Sequence, residues 1–265
     1  MYQPQNGKLI LFASMLLMVV LGSVHAFSVF LEPLETRFNA SRSSVSLTYS
    51  FALMTLTIVV LFGHRLYGLL KPAYFMSVVC GLAAIGTLIA ASATQLYMVW
   101  IGYSLLFGAA NGLGYGYALQ ISAQANPNNK GLAMGLVTAS YALGAAVSPW
   151  PLTIALTDYS FGTAMTSIGV AAILIMPIII IAYHFGNARL TLAKAEQTTS
   201  KNNESTKLII LLWLSYGLAV TAGLMAIGHA IGIAQQGSVS AELIILAPII
   251  LAAFNMAGSL LGGWM

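Results

Sequence analysis

The chain has 265 residues, of which 59% are hydrophobic and only 6% are charged, and its formal net charge is +4. A soluble globular domain carries about 25% charged residues, so this composition excludes a water-soluble protein and predicts one surrounded mostly by lipid. The few basic residues are scattered, which argues against a nucleic-acid partner. Cys80 is the only cysteine, so we expect neither a disulfide framework nor a cysteine metal site, and we predict no cofactor.

Apolar runs long enough to cross about 30 Å of hydrocarbon recur along the chain. The first run continues too far, without a clean cleavage site, to be a signal peptide, so we predict a retained helix. The runs are too long and too apolar on every face to be barrel strands. We therefore predict an all-α, polytopic membrane protein with about eight transmembrane helices. The predicted spans are 9–31, 45–63, 73–93, 97–121, 131–155, 162–184, 208–234 and 243–265.

The segments between the spans differ in charge. Basic residues favour the cytoplasmic side of a membrane. With the N-terminus inside, the inner segments hold Lys8, Arg65, Lys71, Lys130, Arg189, Lys194, Lys201 and Lys207, and the outer segments hold only Arg37 and Arg42. The acidic residues on the outer side are Glu32, Glu35, Asp158 and Glu242. We therefore predict an integral protein of a plasma or inner membrane with a cytoplasmic N-terminus.

One long polar segment divides the chain. We predict a six-helix bundle over 1–185, a flexible cytoplasmic linker over 186–207, and a partial second bundle over 208–265. The stretch beginning at His25 is similar to the stretch beginning at His229, as expected for the parallel repeats of transporters, and chance similarity of apolar sequence is the alternative. Because a second half would hold six spans, we expect a chain truncated after the eighth span.

Several stretches resemble one family of transporters. Residues 26–34 and 38–42 resemble the first span and first outer loop of major facilitator superfamily carriers, nearest to the oxalate/formate antiporters and monocarboxylate carriers. Residues 112–135, 223–235 and 255–264 are similar to that branch's passage from span 4 to span 5, its span 7 and its span 8. The resemblance implies a carrier in a lipid membrane that moves a small organic anion by antiport or symport, with proton coupling as an option. Such a carrier works by rocking one six-span bundle against the other.

The sequence departs from that pattern at two places. The resemblance implies a gating loop at Gly63, Tyr67 and Lys71, but Tyr67 stands where the family usually carries an aspartate. In span 8, Ser259 stands four residues after Asn255, where the branch carries an arginine that pairs with a substrate carboxylate. Because no other lysine or arginine is expected inside a span, a monoanion or a neutral solute is favoured over a dianion such as oxalate.

The candidate substrate-binding residues lie within predicted spans. On a helix, His25 shares a face with Ser28 and Glu32. Its imidazole could exchange a proton near neutral pH or contact an anion, and the alternative is a neutral histidine hydrogen-bonded between helices. Tyr115 and Tyr141 resemble the aromatic residues that surround a small carboxylate in the binding site of this branch. The alternative is that they only pack between helices. The full candidate set is His25, Tyr115, Tyr141, His229, Asn255 and Ser259.

Two further hypotheses concern the class of protein. Gly108, Gly112 and Gly116 recur at every fourth residue inside a span, which favours close helix packing over a nucleotide-binding loop. No metalloprotease, serine-nucleophile or phosphate-loop motif occurs, so an enzyme is not expected. The alternative to a transporter is a degenerate, non-transporting membrane protein or fragment with a structural or partner-binding role, which Tyr67 and Ser259 favour.

Overall fold

A computed structural model describes residues 6–191, 203–237, 240–244 and 246–264, except for the side chains of 203–205 and 241–242. Within these residues eight helices are long enough and apolar enough to cross a membrane, and every regular element is helical, as the sequence predicts. They are α1 (Gly7–Phe38), α2 (Arg42–Leu66), α3 (Pro72–Ala91), α4 (Leu96–Ala125), α5 (Pro127–Asp158), α6 (Phe161–Phe185), α7 (Asn203–Gly228) and α8 (Leu246–Trp264). Two short helices, Ala230–Gln235 and Ala241–Ile244, lie between α7 and α8.

Polar residues set several helix ends. The backbone amides in the first turn of a helix lack partners within the helix. A side-chain oxygen just before the helix can accept a hydrogen bond from the amide three residues later. Such caps precede α1, α2 and α6 at Asn6, Ser41 and Ser160. The first helix continues beyond the predicted limit of residue 31 and ends at Phe38, where Asn39 adopts a left-handed conformation with φ of 47°. Hydropathy detects only the apolar part of such a helix.

The first six long helices pack into one bundle around α1. Helix α1 contacts α4, α5 and α6, α3 lies along α6, and α2 lies along α4. Glycine permits the closest approach, between α1 and α5. A Cβ atom on Gly22 would overlap the carbonyl oxygen of Tyr141, and one on Gly144 would overlap that of Val19. The two backbones are therefore in direct contact, as small residues allow in membrane helices.

The glycine series in α4 faces α2. A Cβ atom would lie 2.8 Å from the carbonyl oxygen of Ala52 if built on Gly108, and 2.7 Å from that of Leu56 if built on Gly112. These distances are too short for any side chain, so the packing role predicted for these glycines is confirmed.

The last two long helices contact the bundle at different places. Helix α8 lies along α5, where a Cβ atom on Gly131 would be 2.8 Å from the carbonyl oxygen of Gly263. Helix α7 contacts the Gly22–Phe30 part of α1. The predicted span to residue 234 is wrong in one respect, because α7 ends at Gly228 and His229, with φ of −117° and ψ of 14°, separates it from the next short helix. Glycine is a poor helix former, which makes this a favourable place for a break.

The predicted linker over 186–207 is described only at its two ends. Residues 186–191 form a turn that follows α6, and residues 203–207 already belong to α7. The remainder, with Lys194 and Lys201, lies outside the described residues.

Candidate functional site

A buried histidine joins three helices in the middle of the bundle. The segment Gly22–Phe30 of α1 is a 3₁₀-helix, whose three residues per turn place Gly22, His25 and Ser28 in one row. His25 is 8% exposed, and its Nδ1 lies 2.7 Å from the hydroxyl oxygen of Tyr49 in α2. The ring of Tyr141 in α5 packs edge-on against the imidazole, with centroids 5.1 Å apart. The imidazole is therefore held in place by groups from two other helices.

Two more polar residues extend this arrangement into α4. The hydroxyl of Tyr141 donates a hydrogen bond of 2.8 Å to Oδ1 of Asn111. The ring of Tyr115 lies 5.2 Å from that of Tyr141, and its hydroxyl is 3.4 Å from Oγ1 of Thr138. Three of the six candidate residues thus lie together. We call the group of His25, Tyr49, Asn111, Tyr115 and Tyr141 the central cluster.

A π-helical segment of α4, Trp100–Phe107, supports the central cluster. The hydroxyl of Tyr103 donates to the carbonyl oxygen of Val24, the residue before the central histidine, at 3.0 Å. The hydroxyl of Ser104 donates a hydrogen bond of 2.7 Å to the carbonyl oxygen of Thr48, the residue before Tyr49. Such π-helical turns are rare and occur frequently at functional sites. Here the segment fixes the backbone beside two members of the cluster.

His229 lies apart from the central cluster. It lines a cavity of about 370 Å³ together with Arg42. A Cβ atom on Gly232 would be 2.7 Å from a guanidinium nitrogen of Arg42, and one on Gly228 would be 2.7 Å from the ring of Tyr49. The end of α7 therefore rests on the start of α2. His25 and His229 also share one property, since each lies where regular α-helix is interrupted.

A larger cavity of about 590 Å³ begins one turn beyond His25, and we call it the outer cavity because it lies at the end of α1 that the charge distribution predicts to be outside. Ser28 is 3% exposed, and its hydroxyl has no hydrogen-bond partner in the part of the chain that the structure describes. Nη1 of Arg42 lies 3.7 Å from Oε1 of Glu35. The charged side chains that line the cavity are Arg37, Arg42 and Glu32, so with Glu35 beside Arg42 the positive and negative charges balance. The polar lining residues are Ser28, Glu32, Thr36, Arg37, Arg42, Thr153, Thr157 and Gln235.

The structure does not bring Asn255 and Ser259 into the central cluster. Asn255 is exposed, and the hydroxyl of Ser259 donates 2.9 Å to the carbonyl oxygen of Asn255 within α8. The backbone oxygen of Ser259 would be 2.9 Å from a Cβ atom on Gly135. These contacts place Ser259 where α8 packs on α5.

Tyr67, in the predicted gating loop, is inserted into the bundle. It is 2% exposed, and its ring lies 5.5 Å from Phe75 and 5.1 Å from Tyr117. Its hydroxyl occupies the space that a Cβ atom on Gly116 would need. Burial raises the pKa of Tyr67 to about 12, because the phenolate is disfavoured away from water. Aromatic packing thus holds the loop where the family pattern has a carboxylate.

The other two predicted loop residues flank this tyrosine. Gly63 is buried at the end of α2, where a Cβ atom would lie 3.0 Å from Cδ2 of Leu113. Lys71 is exposed directly before α3.

Sequence reasoning missed Tyr49 and Asn111. An amide inside an apolar span is costly unless it is paired, and this signal could have identified Asn111. The sequence gives no comparable signal for Tyr49, because its partner His25 lies 24 residues away and the contact exists only in the folded chain. Within the described residues there is no group of three histidine, cysteine or acidic side chains that could hold a metal ion.

The fold is similar to that of a solved transporter. The structure matches a D-xylose–proton symporter with a TM-score of 0.60 over 94% of this chain and 66% of that one, at 14% sequence identity. No protein-family profile matches the chain. It is 28% identical over 141 residues to an uncharacterized MFS-type transporter, YhjX, of Escherichia coli (strain K12), and the alignment covers 51% of this chain and 34% of that protein. The chain thus spans less than two thirds of both proteins. Both of those proteins are described as transporters.

Proposed function

We propose that this chain acts in secondary transport of the major facilitator type and moves a small organic anion by alternating access. The observation that carries the proposal is the central cluster, an ionisable imidazole buried with three tyrosine rings and an amide where α1, α2, α4 and α5 meet. Ionisable groups inside membrane proteins mark substrate or proton pathways. In this proposal His25 exchanges a proton or contacts the anion, and Tyr115 and Tyr141 shape the site.

The proposed architecture has two parts that rock against each other. Residues 1–185 form the first bundle, 208–265 belong to the second, and 186–207 link them on the cytoplasmic side. The contacts of α7 with α1 and with Tyr49, and of the following short helix with Arg42, support closure at one end of the site. In this proposal His229 lines the path from the second part, and the loop of Gly63, Tyr67 and Lys71 governs the other end.

The charge near the outer cavity supports a monoanion or a neutral solute as the substrate. Arg37 and Arg42 line the cavity, Glu32 is the acidic residue of its lining, and Glu35 lies 3.7 Å from Arg42, so no positive charge is left over for a dianion. Arg37 is partly engaged, since it donates 2.8 Å to the carbonyl oxygen of Ala93. A dianion would need a second cation close by. Lactate and formate therefore fit this chemistry better than oxalate does.

The test is uptake of labelled lactate, formate and oxalate by protein reconstituted in liposomes, with and without a proton gradient. We expect uptake of a monoanion above that of oxalate, and a loss of about tenfold or more for His25→Gln. His64→Gln is the matched control, because His64 is exposed and contacts only its own helix through Nδ1 and the carbonyl of Leu61. Equal uptake by the two variants would contradict the assigned site.

A non-transporting role is the second candidate. The position of Ser259 in the contact between α5 and α8, and the aromatic packing of Tyr67 in place of a charged loop, favour it. Absence of uptake for all three anions, together with absence of binding measured by calorimetry, would support this candidate and overturn the transporter proposal.

A further inference from the structure

The polar lining of the outer cavity consists mainly of neutral hydrogen-bonding groups. Its charged groups are engaged, since Arg42 lies 3.7 Å from Glu35 and Arg37 donates a hydrogen bond of 2.8 Å to the carbonyl oxygen of Ala93. The choice between one monovalent solute and another therefore depends on the neutral groups. These groups are Ser28, Thr36, Thr153, Thr157 and Gln235.

Ser28 contributes an unpaired hydroxyl to this cavity. In the same 3₁₀ segment, the hydroxyl of Ser23 donates a hydrogen bond of 2.7 Å to the carbonyl oxygen of Val20. Ser28 is 3% exposed, and its hydroxyl makes no such bond to any residue that the structure describes. A buried hydroxyl without a partner costs free energy, so a ligand that supplies the partner gains affinity. Because rotation about one bond orients this hydroxyl, it can turn towards the cavity while the helix stays in place.

Helix α5 contributes two more hydroxyls to the same cavity. Thr153 and Thr157 are four residues apart, so they lie on one face of that helix. Within the described ranges of the chain, these two hydroxyls and the side-chain amide of Gln235 have no hydrogen-bond partner. A hydroxyl or an amide can both donate and accept, so each of these groups can pair with a hydroxyl of a ligand. Leu156 and Ile231 add apolar surface for the carbon chain of that ligand.

The volume of the outer cavity suits a solute larger than formate. Sites of about 300–1,000 Å³ hold ligands of drug size, and the outer cavity has about 590 Å³. A short anion without hydroxyl groups would fill little of this space and would leave the neutral groups of the lining without a partner from the ligand. A carbon chain that carries several hydroxyl groups would pair with them.

We propose that the outer cavity binds the hydroxyl groups of the transported anion, and that the substrate class is a polyhydroxylated monocarboxylate of about four to six carbons, such as an aldonate. The inference rests on the proposed function, which supplies the anion. Ser28 pairs with one hydroxyl of the bound chain, and Thr153 and Thr157 pair with others. Ser28 follows His25 by one turn of the 3₁₀ segment, about 6 Å along its axis, so a ligand in the outer cavity lies next to the central cluster.

The experiment is isothermal titration calorimetry of the purified, detergent-solubilised chain with threonate, butyrate and erythritol. Threonate and butyrate are monoanions with the same carbon skeleton, and only threonate carries hydroxyl groups. Erythritol has the same number of carbons and carries hydroxyl groups without a charge. We expect threonate to bind at least about tenfold more tightly than either of the other two solutes, because only threonate meets both requirements of the site.

Variants locate the binding of the hydroxyl groups. Ser28→Ala should weaken threonate binding by about 3- to 10-fold, the effect of one neutral hydrogen bond, and should change butyrate binding by less than about twofold. Its unfolding temperature should be unchanged or higher, because the hydroxyl that it removes has no partner among the described residues. Thr153→Val preserves the shape of the side chain and should cause a similar loss. The matched control is Thr57→Val in α2, because Thr57 is exposed outside the cavity and bonds only to the carbonyl oxygen of Leu53, at 2.8 Å.

The outcomes separate this inference from the proposed function. Equal affinity for threonate and butyrate would overturn the inference and leave the anion of the proposed function in place. Equal affinity for threonate and erythritol would contradict the anionic substrate but support recognition of hydroxyl groups in the outer cavity. Binding of none of the three solutes would overturn both. An equal loss of threonate affinity in Ser28→Ala and Thr57→Val would contradict the position of the site.

Discussion

The hydroxyl of Tyr49 in α2 lies 2.7 Å from Nδ1 of His25 in α1, within the part of α1 that is a 3₁₀-helix. Nδ1 accepts from the tyrosine or donates to it according to the tautomer of the imidazole, and in either case both groups are satisfied by this one bond. Removal of the hydroxyl leaves a buried nitrogen without its partner.

Tyr49→Phe should therefore destabilise the protein by about 1–3 kcal/mol, the usual cost of an unsatisfied buried polar group. Thermal unfolding of the purified protein in detergent measures the change. Tyr97→Phe is the control, because Tyr97 is 52% exposed. In a double-mutant cycle with His25→Leu, additive effects of the two substitutions would show that the bond contributes nothing.

Gly116→Ala should destabilise the protein by about 1–3 kcal/mol, because the new methyl group overlaps the hydroxyl of Tyr67. The next atom of that ring, Cζ, would be 3.5 Å from the methyl, which is an ordinary contact. Tyr67→Phe should therefore rescue much of the loss in the double variant. Measured unfolding temperatures without any rescue would contradict the position of this tyrosine.

Tyr67 should also make stability depend on alkaline pH. Because its folded pKa is raised to about 12 from an ordinary value of 10.0, the folded protein keeps a proton that the unfolded chain loses. Stability is therefore unaffected below pH 10 and falls as the pH rises from 10 towards 12, by about 1 kcal/mol at pH 11. Chemical unfolding of the wild type and of Tyr67→Phe at pH 8 and pH 11 isolates this contribution, and parallel curves for the two proteins would refute it.

Gly22→Ala should be strongly destabilising, by about 2 kcal/mol or more, because the overlapping atom is the backbone oxygen of Tyr141 and cannot rotate away. Gly81→Ala is the matched control in another helix, where nothing lies within 4 Å of a new Cβ atom. That change should be neutral or should stabilise by up to about 1 kcal/mol, since alanine is the better helix former. Similar unfolding temperatures for the two variants would be inconsistent with direct contact of α1 and α5.

The predicted orientation can be tested by cysteine labelling in a Cys80→Ala background. Ser43 near the start of α2 and Asn128 in the first turn of α5 are both exposed and lie on opposite sides of the predicted membrane. A membrane-impermeant maleimide added to intact cells should label Ser43→Cys and should label Asn128→Cys only after permeabilisation. The reverse pattern would place the N-terminus outside.

Hydropathy predicted the eight spans because lipid demands a long apolar run from each helix, whatever its neighbours. It could not predict the ends of α1 and α7, which depend on the conformations of Asn39 and His229 rather than on polarity. The same limit applies to the site. His25 was found because an imidazole is conspicuous in an apolar run, whereas Tyr49 becomes part of the cluster only through a contact between helices.

Ser259 illustrates the converse. Its place in span 8 suggested a substrate contact by analogy, but the fold turns its backbone towards Gly135 and its hydroxyl back to its own helix. The position of Ser259 along α8 predicts its depth in the membrane. The direction in which Ser259 faces depends on the packing of α8 against Gly135 of α5.

The 3₁₀ winding of Gly22–Phe30 gives α1 a mechanical property. A residue there advances about 2.0 Å and turns about 120°, against about 1.5 Å and 100° in an α-helix. Rewinding these nine residues as α-helix would shorten α1 by about 4–5 Å and swing the imidazole of His25 by about 60° relative to Gly22. The length of this segment and the direction of its side chains are therefore coupled. A movement of Phe30 towards Gly22 along the helix axis would rotate the one histidine that the segment carries.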